Sequence, residues 1–96
     1  MSVMPYAARQ SLLRNELEAA ISVIRGRFLQ NGEPHSTSEN PGEITARWEN
    51  GQKRVEVSVR SSGAGVPSLI WTREEDGKRF TCSDPDGLAH IRWLWN

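Results

Sequence analysis

The chain has 96 residues, and since domains average about 100–200 it is expected to hold one domain, spanning 1–96. Twelve basic and twelve acidic side chains cancel, which argues against a general polycation that coats nucleic acid, and one cysteine cannot close an internal disulfide. No apolar run approaches the roughly 20 residues of a membrane span, and Arg9, Arg14, Glu16 and Glu18 interrupt any signal-like stretch in 1–24, so the expected setting is cytoplasmic with no membrane contact.

Leu13, Leu17, Ile21, Ile24 and Phe28 recur at spacings of three and four, the stripe of an amphipathic helix. Pro5 suits a first turn, where its missing N–H costs nothing. Asn31-Gly32 followed by Pro34 is a stop signal. The spacing predicts a helix over about 6–30. Residues 31–42 carry no aliphatic or aromatic side chain but two prolines and two glycines, and read as a polar loop.

Ile44, Ala46 and Trp48 then alternate with polar residues, and after Asn50-Gly51 so do Val55, Val57 and Val59. A two-residue Asn-Gly turn predicts a hairpin over 43–61. That register sets Arg47 beside Arg54, Ala46 beside Val55 and Ile44 beside Val57. A second hairpin is expected over 68–82, with Asp76-Gly77 or a longer stretch of the Glu-Glu-Asp-Gly run as its loop; the two-residue loop gives the following register. Glu74 then faces Arg79, Arg73 faces Phe80 and Trp71 faces Cys82, so Leu69, Trp71, Phe80 and Cys82 share an apolar face. The tail predicts a helix over about 85–95, capped by Ser83 or Asp84, with Pro85 in its first turn. Its buried stripe is Leu88, Ile91 and Trp95, and Trp93 points away.

The order α-β-β-β-β-α implies an α+β, two-layer sandwich. A four-stranded antiparallel sheet of two hairpins is covered on one face by the long N-terminal and short C-terminal helices. Ile44, Ala46, Val55, Val57, Leu69, Trp71 and Phe80 would meet the first helix's stripe.

No catalytic set, metal site or cofactor is expected. His35, His90 and the lone Cys82 lack the paired spacing of a ligand set or a nucleophile with its base. Asp84, Asp86 and Gly87 echo a calcium loop, but tryptophan stands at 95 where its bidentate glutamate belongs. Gly63-Ala64-Gly65 runs into Val66-Pro67 and a strand, not into the helix a phosphate loop needs.

Two features remain. Ten of the twelve basic residues are arginine, and Arg47, Arg54 and Arg60 fall on the solvent face of the first hairpin, where guanidiniums can read carboxylates or phosphates. Trp93 beside Arg92 has the composition of an interface anchor, and could equally fold down over the end of the sheet. The candidate binding residues are therefore Arg47, Arg54, Arg60 and Trp93. The expectation is a small non-catalytic binding protein acting through a protein–protein interface, such as an inhibitor, an immunity-type protein or a mobile-element accessory protein. The partner is expected to be a macromolecule, most naturally a protein; a second copy of the chain fits the same description. The alternatives are a nucleic-acid-binding domain using the arginine face, and a small-ligand module or small enzyme.

Overall fold

Burial of one helical stripe against one face of a sheet organises the molecule. The computed structural model describes residues 6–61 and 65–96. Pro5 and the 62–64 segment, with Gly63 and Ala64, lie outside the described residues. Helix α1 runs Tyr6–Phe28 and passes into a single 3-10 turn, Leu29–Gly32. Five strands follow: β1 Ser36–Asn40, β2 Glu43–Asn50, β3 Lys53–Ser61, β4 Pro67–Glu75 and β5 Lys78–Cys82. Helix α2, Gly87–Leu94, closes the described chain. The sheet is an antiparallel meander in the order β1-β2-β3-β4-β5. The fold is α+β, with both helices packed on one face of the sheet.

The fifth strand corrects the expected polar loop over 31–42. All five side chains of β1 are exposed, so no burial pattern marks it. Pairing with β2 holds it from one side, and α1 holds it from the other. Gln10 is fully buried; its Nε2 donates to the Asn40 carbonyl at 3.3 Å and its Oε1 accepts from Gly42 N–H at 2.8 Å. Arg14 grips Glu39 through two bonds, Nε to Oε1 at 2.9 Å and Nη2 to Oε2 at 2.8 Å.

The first hairpin has the expected faces but not the expected register. Asn50 pairs with Lys53, so the loop is Gly51-Gln52 rather than Asn50-Gly51. Gly51 has φ +62° and Gln52 does not enter the left-handed region, the arrangement of a II′ turn. The Asn50 amide is drawn out of the turn to donate to the Leu94 carbonyl at 2.9 Å. Arg47 consequently faces Glu56, Ala46 faces Val57, and Ile44 faces Val59. In the second hairpin the expected pairs, Glu74 with Arg79, Arg73 with Phe80 and Trp71 with Cys82, are the observed ones.

Leu13, Leu17, Ile21 and Ile24 meet Ile44, Ala46, Trp48, Val55, Val57, Val59 and Trp71 in the core, joined by Ile91 and Leu94. Leu69 and Phe80 share this face of the sheet but stay exposed, at 38 % and 49 %. Phe28 is half-buried at the end of the stripe. In α2 the buried residue is Leu94 in place of the expected Trp95, and the N-cap is Asp86, whose carboxylate accepts from Leu88 N–H at 3.0 Å. Pro85 therefore precedes the helix.

Three rings stack through the core. Trp48 and Trp71 lie 6.1 Å apart between centroids, and Trp71 and His90 5.0 Å apart. Arg73 Nε donates to His90 Nδ1 at 2.9 Å. The other ring nitrogen, Nε2, therefore carries the proton and donates to the Asp84 carbonyl at 2.7 Å. Trp48 Nε1 donates to the Gly32 carbonyl at 2.9 Å. His90 is thus a satisfied core residue.

Candidate functional site

Because side chains alternate along a strand, the residues between the core positions all emerge on the face that no helix covers. From β2 these are Glu43, Thr45, Arg47 and Glu49; from β3, Arg54, Glu56, Ser58 and Arg60. Ile70, Thr72 and Glu74 of β4 and Arg79 of β5 extend the face. At its centre Thr45 and Ser58 share a hydroxyl hydrogen bond of 3.1 Å.

Charge is laid across this face in alternating sign. Arg47 donates to Glu56 Oε2 through Nε at 3.2 Å and Nη2 at 3.0 Å, while Arg79 Nη2 takes the other oxygen at 2.9 Å. Arg54 lies between Glu49, at 3.3 Å, and Glu74, at 3.7 Å. Arg60 pairs with Glu43. Glu56 is the most enclosed of these groups, with its side chain 12 % exposed, whereas Arg60 remains 57 % exposed. Exposed pairs of this kind contribute about 0–1 kcal/mol each. Their main effect is to hold long side chains at set points while leaving them in contact with solvent.

Arg47, Arg54 and Arg60 are thus on one face as expected, but the supposed like-charge contact of Arg47 with Arg54 is replaced by carboxylate partners for both. Trp93 is not with them. It is half-buried on the helical side, packed against the core, with Lys53 Nζ 4.9 Å and the Arg73 guanidinium 5.0 Å from its ring centroid. Lys53 also donates to the Trp93 carbonyl at 3.1 Å. These contacts are those of a ring folded down on the sheet, the second of the two orientations open from the sequence, and not of an exposed anchor. Glu56 is the hub of the face: from β3 it takes Arg47 of the adjacent β2 and Arg79 of β5, two strands away, and this second contact cannot be read from either hairpin alone.

Among the described residues no three His, Cys, Asp or Glu side chains are grouped to hold a metal ion, and no helix is long and apolar enough to cross a membrane. Comparison with protein-family models, curated proteins and solved structures finds no match for this chain.

Proposed function

We propose that the protein is a non-catalytic binding module that docks a protein partner on the uncovered face of its sheet. The observation that carries this reading is a strand-built face whose arginines are pre-positioned by carboxylates. Strand-mounted side chains lose less freedom on association than loop residues, which lowers the cost of binding. Each of Arg47, Arg54, Arg60 and Arg79 has a glutamate partner on that face. Such alternation suits a surface that also carries both signs, and it supports protein over nucleic acid, where excess positive charge supplies the affinity.

Cross-linking and affinity capture with the full chain identify the partner, and calorimetry then measures it. The double variant R47E/R54E is expected to bind at least tenfold more weakly, about 1.4 kcal/mol, with an unchanged circular dichroism spectrum. The swap E43R/R60E, which preserves an ion pair while inverting its direction, is expected to fold normally and also to weaken binding. Full affinity in a folded R47E/R54E variant overturns the proposal. So does a partner that proves to be DNA or RNA with affinity falling steeply from low to physiological salt.

A further inference from the structure

The charges on the uncovered face follow an order with a symmetry of its own. Read along β2, the outward residues are Glu49, Arg47, Thr45 and Glu43; directly across on β3 they are Arg54, Glu56, Ser58 and Arg60. Each glutamate of one strand is matched by an arginine of the other, and threonine by serine. Exchanging the two strands therefore reverses every sign. With Glu74 of β4 and Arg79 of β5, the described residues of the face comprise four glutamates and four arginines.

A partner presenting the same face, turned over about an axis that runs between β2 and β3 and parallel to them, performs that exchange. β2 of one copy then lies over β3 of the other. Arg47 meets Glu56 of the second copy, Glu49 meets Arg54, and Glu43 meets Arg60, each contact occurring twice. Thr45 meets Ser58 near the axis, where hydroxyls donate or accept in either direction. Alongside, Thr72, Ile70 and Ser68 of β4 lie over Ser36, Ser38 and Asn40 of β1, so no like charges are opposed there. An axis across the strands instead sets Glu49 against Glu43 and Arg54 against Arg60. An axis between β3 and β4 leaves Arg47 and Glu56 facing threonines. Facing sheets stand about 10 Å apart and cross at about 30°. Arginine and glutamate together span that gap, and Arg54, which already reaches both Glu49 and Glu74, can follow the sideways displacement of the end rows. Of five N–H donors on each guanidinium, Arg47 commits two to Glu56 and Arg60 one to Glu43. Both keep donors for a second carboxylate.

We infer, resting on the sheet-face docking proposed above, that the partner is a second copy of this chain, bound face to face as a two-fold dimer with β2 over β3. The ion pairs within each chain stay in place, and each of their charges on β2 and β3 gains an opposite charge from the other copy. Strands of about 26 Å and a width of four strands at about 4.8 Å give roughly 500 Å² per copy. The total of about 1,000 Å² is at the lower end for a specific interface. A contact of that size that also desolvates charges is weak and reversible.

Sedimentation equilibrium of the full chain at low and physiological salt is the test. A monomer–dimer equilibrium is expected, weakening as salt rises because exposed charges are screened. R47E sets glutamate against glutamate at the central contact, and E56R sets arginine against arginine; each is expected to weaken self-association at least tenfold. An equimolar mixture of the two is expected to restore it, since each copy then supplies the charge the other lacks. Circular dichroism checks each fold, and the swap E43R/R60E carries the test if E56R does not fold. That swap is expected to pair with itself as the unchanged chain does, yet to bind the unchanged chain at least tenfold more weakly. A chain that stays monomeric at about 1 mM overturns the dimer. So does a mixture of folded R47E and E56R that fails to restore it, or a swap that loses its self-association. Capture of a different protein, with binding lost in R47E/R54E, also overturns the dimer while leaving docking on this face standing.

Discussion

Gly32 and Gly26 are six residues apart and carry the same side chain, but the structure asks opposite things of them. A Cβ on Gly32 would lie 2.6 Å from the Ile24 carbonyl oxygen and 2.9 Å from its carbon, both backbone atoms that cannot swing aside. Moving Gly32 also moves the carbonyl that receives Trp48 Nε1. Gly26 has open space around it in an exposed turn of α1. Gly32→Ala is therefore expected to destabilise the protein by about 1–3 kcal/mol, the usual cost of overpacking. Gly26→Ala is expected to stabilise it by up to about 1 kcal/mol through helix propensity. Denaturant unfolding of the two variants checks both signs in one experiment. The Asn31-Gly32 pair was legible as a helix stop, but the steric need for glycine was not, since it depends on how closely the returning chain approaches Ile24.

At the level of elements, β1 is the strand that alternation cannot reveal, because none of its side chains is buried. Its attachment to α1 is polar and therefore sensitive to pH. Hydrogen bonds from Arg14, and secondarily from Gln10, hold the Glu39 carboxyl below its ordinary value. A carboxylate whose pKa is depressed by folding adds stability that is complete above its unfolded value, about 4.3, and disappears as pH falls through the lower folded value. Exchange protection of amides in 37–40 is expected to fall selectively in acid while that of β3 persists. Glu39→Gln is expected to remove this pH dependence, as hydrogen exchange would register. The two central hairpins were legible for the reason β1 was not: Ile44, Ala46, Trp48, Val55, Val57 and Val59 are buried with a period of two. That same period is blind to a slip of two residues, which leaves every side chain on its face. Hence Arg47 and Arg54 were placed on the correct surface but against the wrong neighbours. Contacts such as the Asn50 amide on the Leu94 carbonyl, distant in sequence, accompany the observed register. Leu69 and Phe80 were misplaced because alternation identifies a face without fixing the burial of each position along it.

Across the whole molecule, the sheet follows chain order, yet the core is completed by the elements farthest apart in sequence. Ile91 and Leu94 of α2 are fully buried with Leu13 and Ile24 of α1. Beyond the core, Trp95 Nε1 donates to the Asn31 carbonyl at 3.1 Å, and Lys53 reaches the Trp93 carbonyl. His90 completes the ring stack on Trp71. Removing α2 would uncover Trp71 and the underside of β3 together, a loss larger than the marginal stability of a small domain. A chain ending at Asp86 is expected to lose cooperative thermal unfolding and near-ultraviolet dichroism; a sharp transition in that truncated chain would contradict this account. The same closure governs what happens during synthesis. A nascent chain emerges from the ribosome with α1 first, but the tryptophan stack that α1 helps to enclose cannot close until α2 has cleared the exit tunnel. Folding is therefore deferred to the end of translation of this region. Until then its exposed strands are open to whatever chaperone meets them, and the arginine face is assembled only once α2 has emerged.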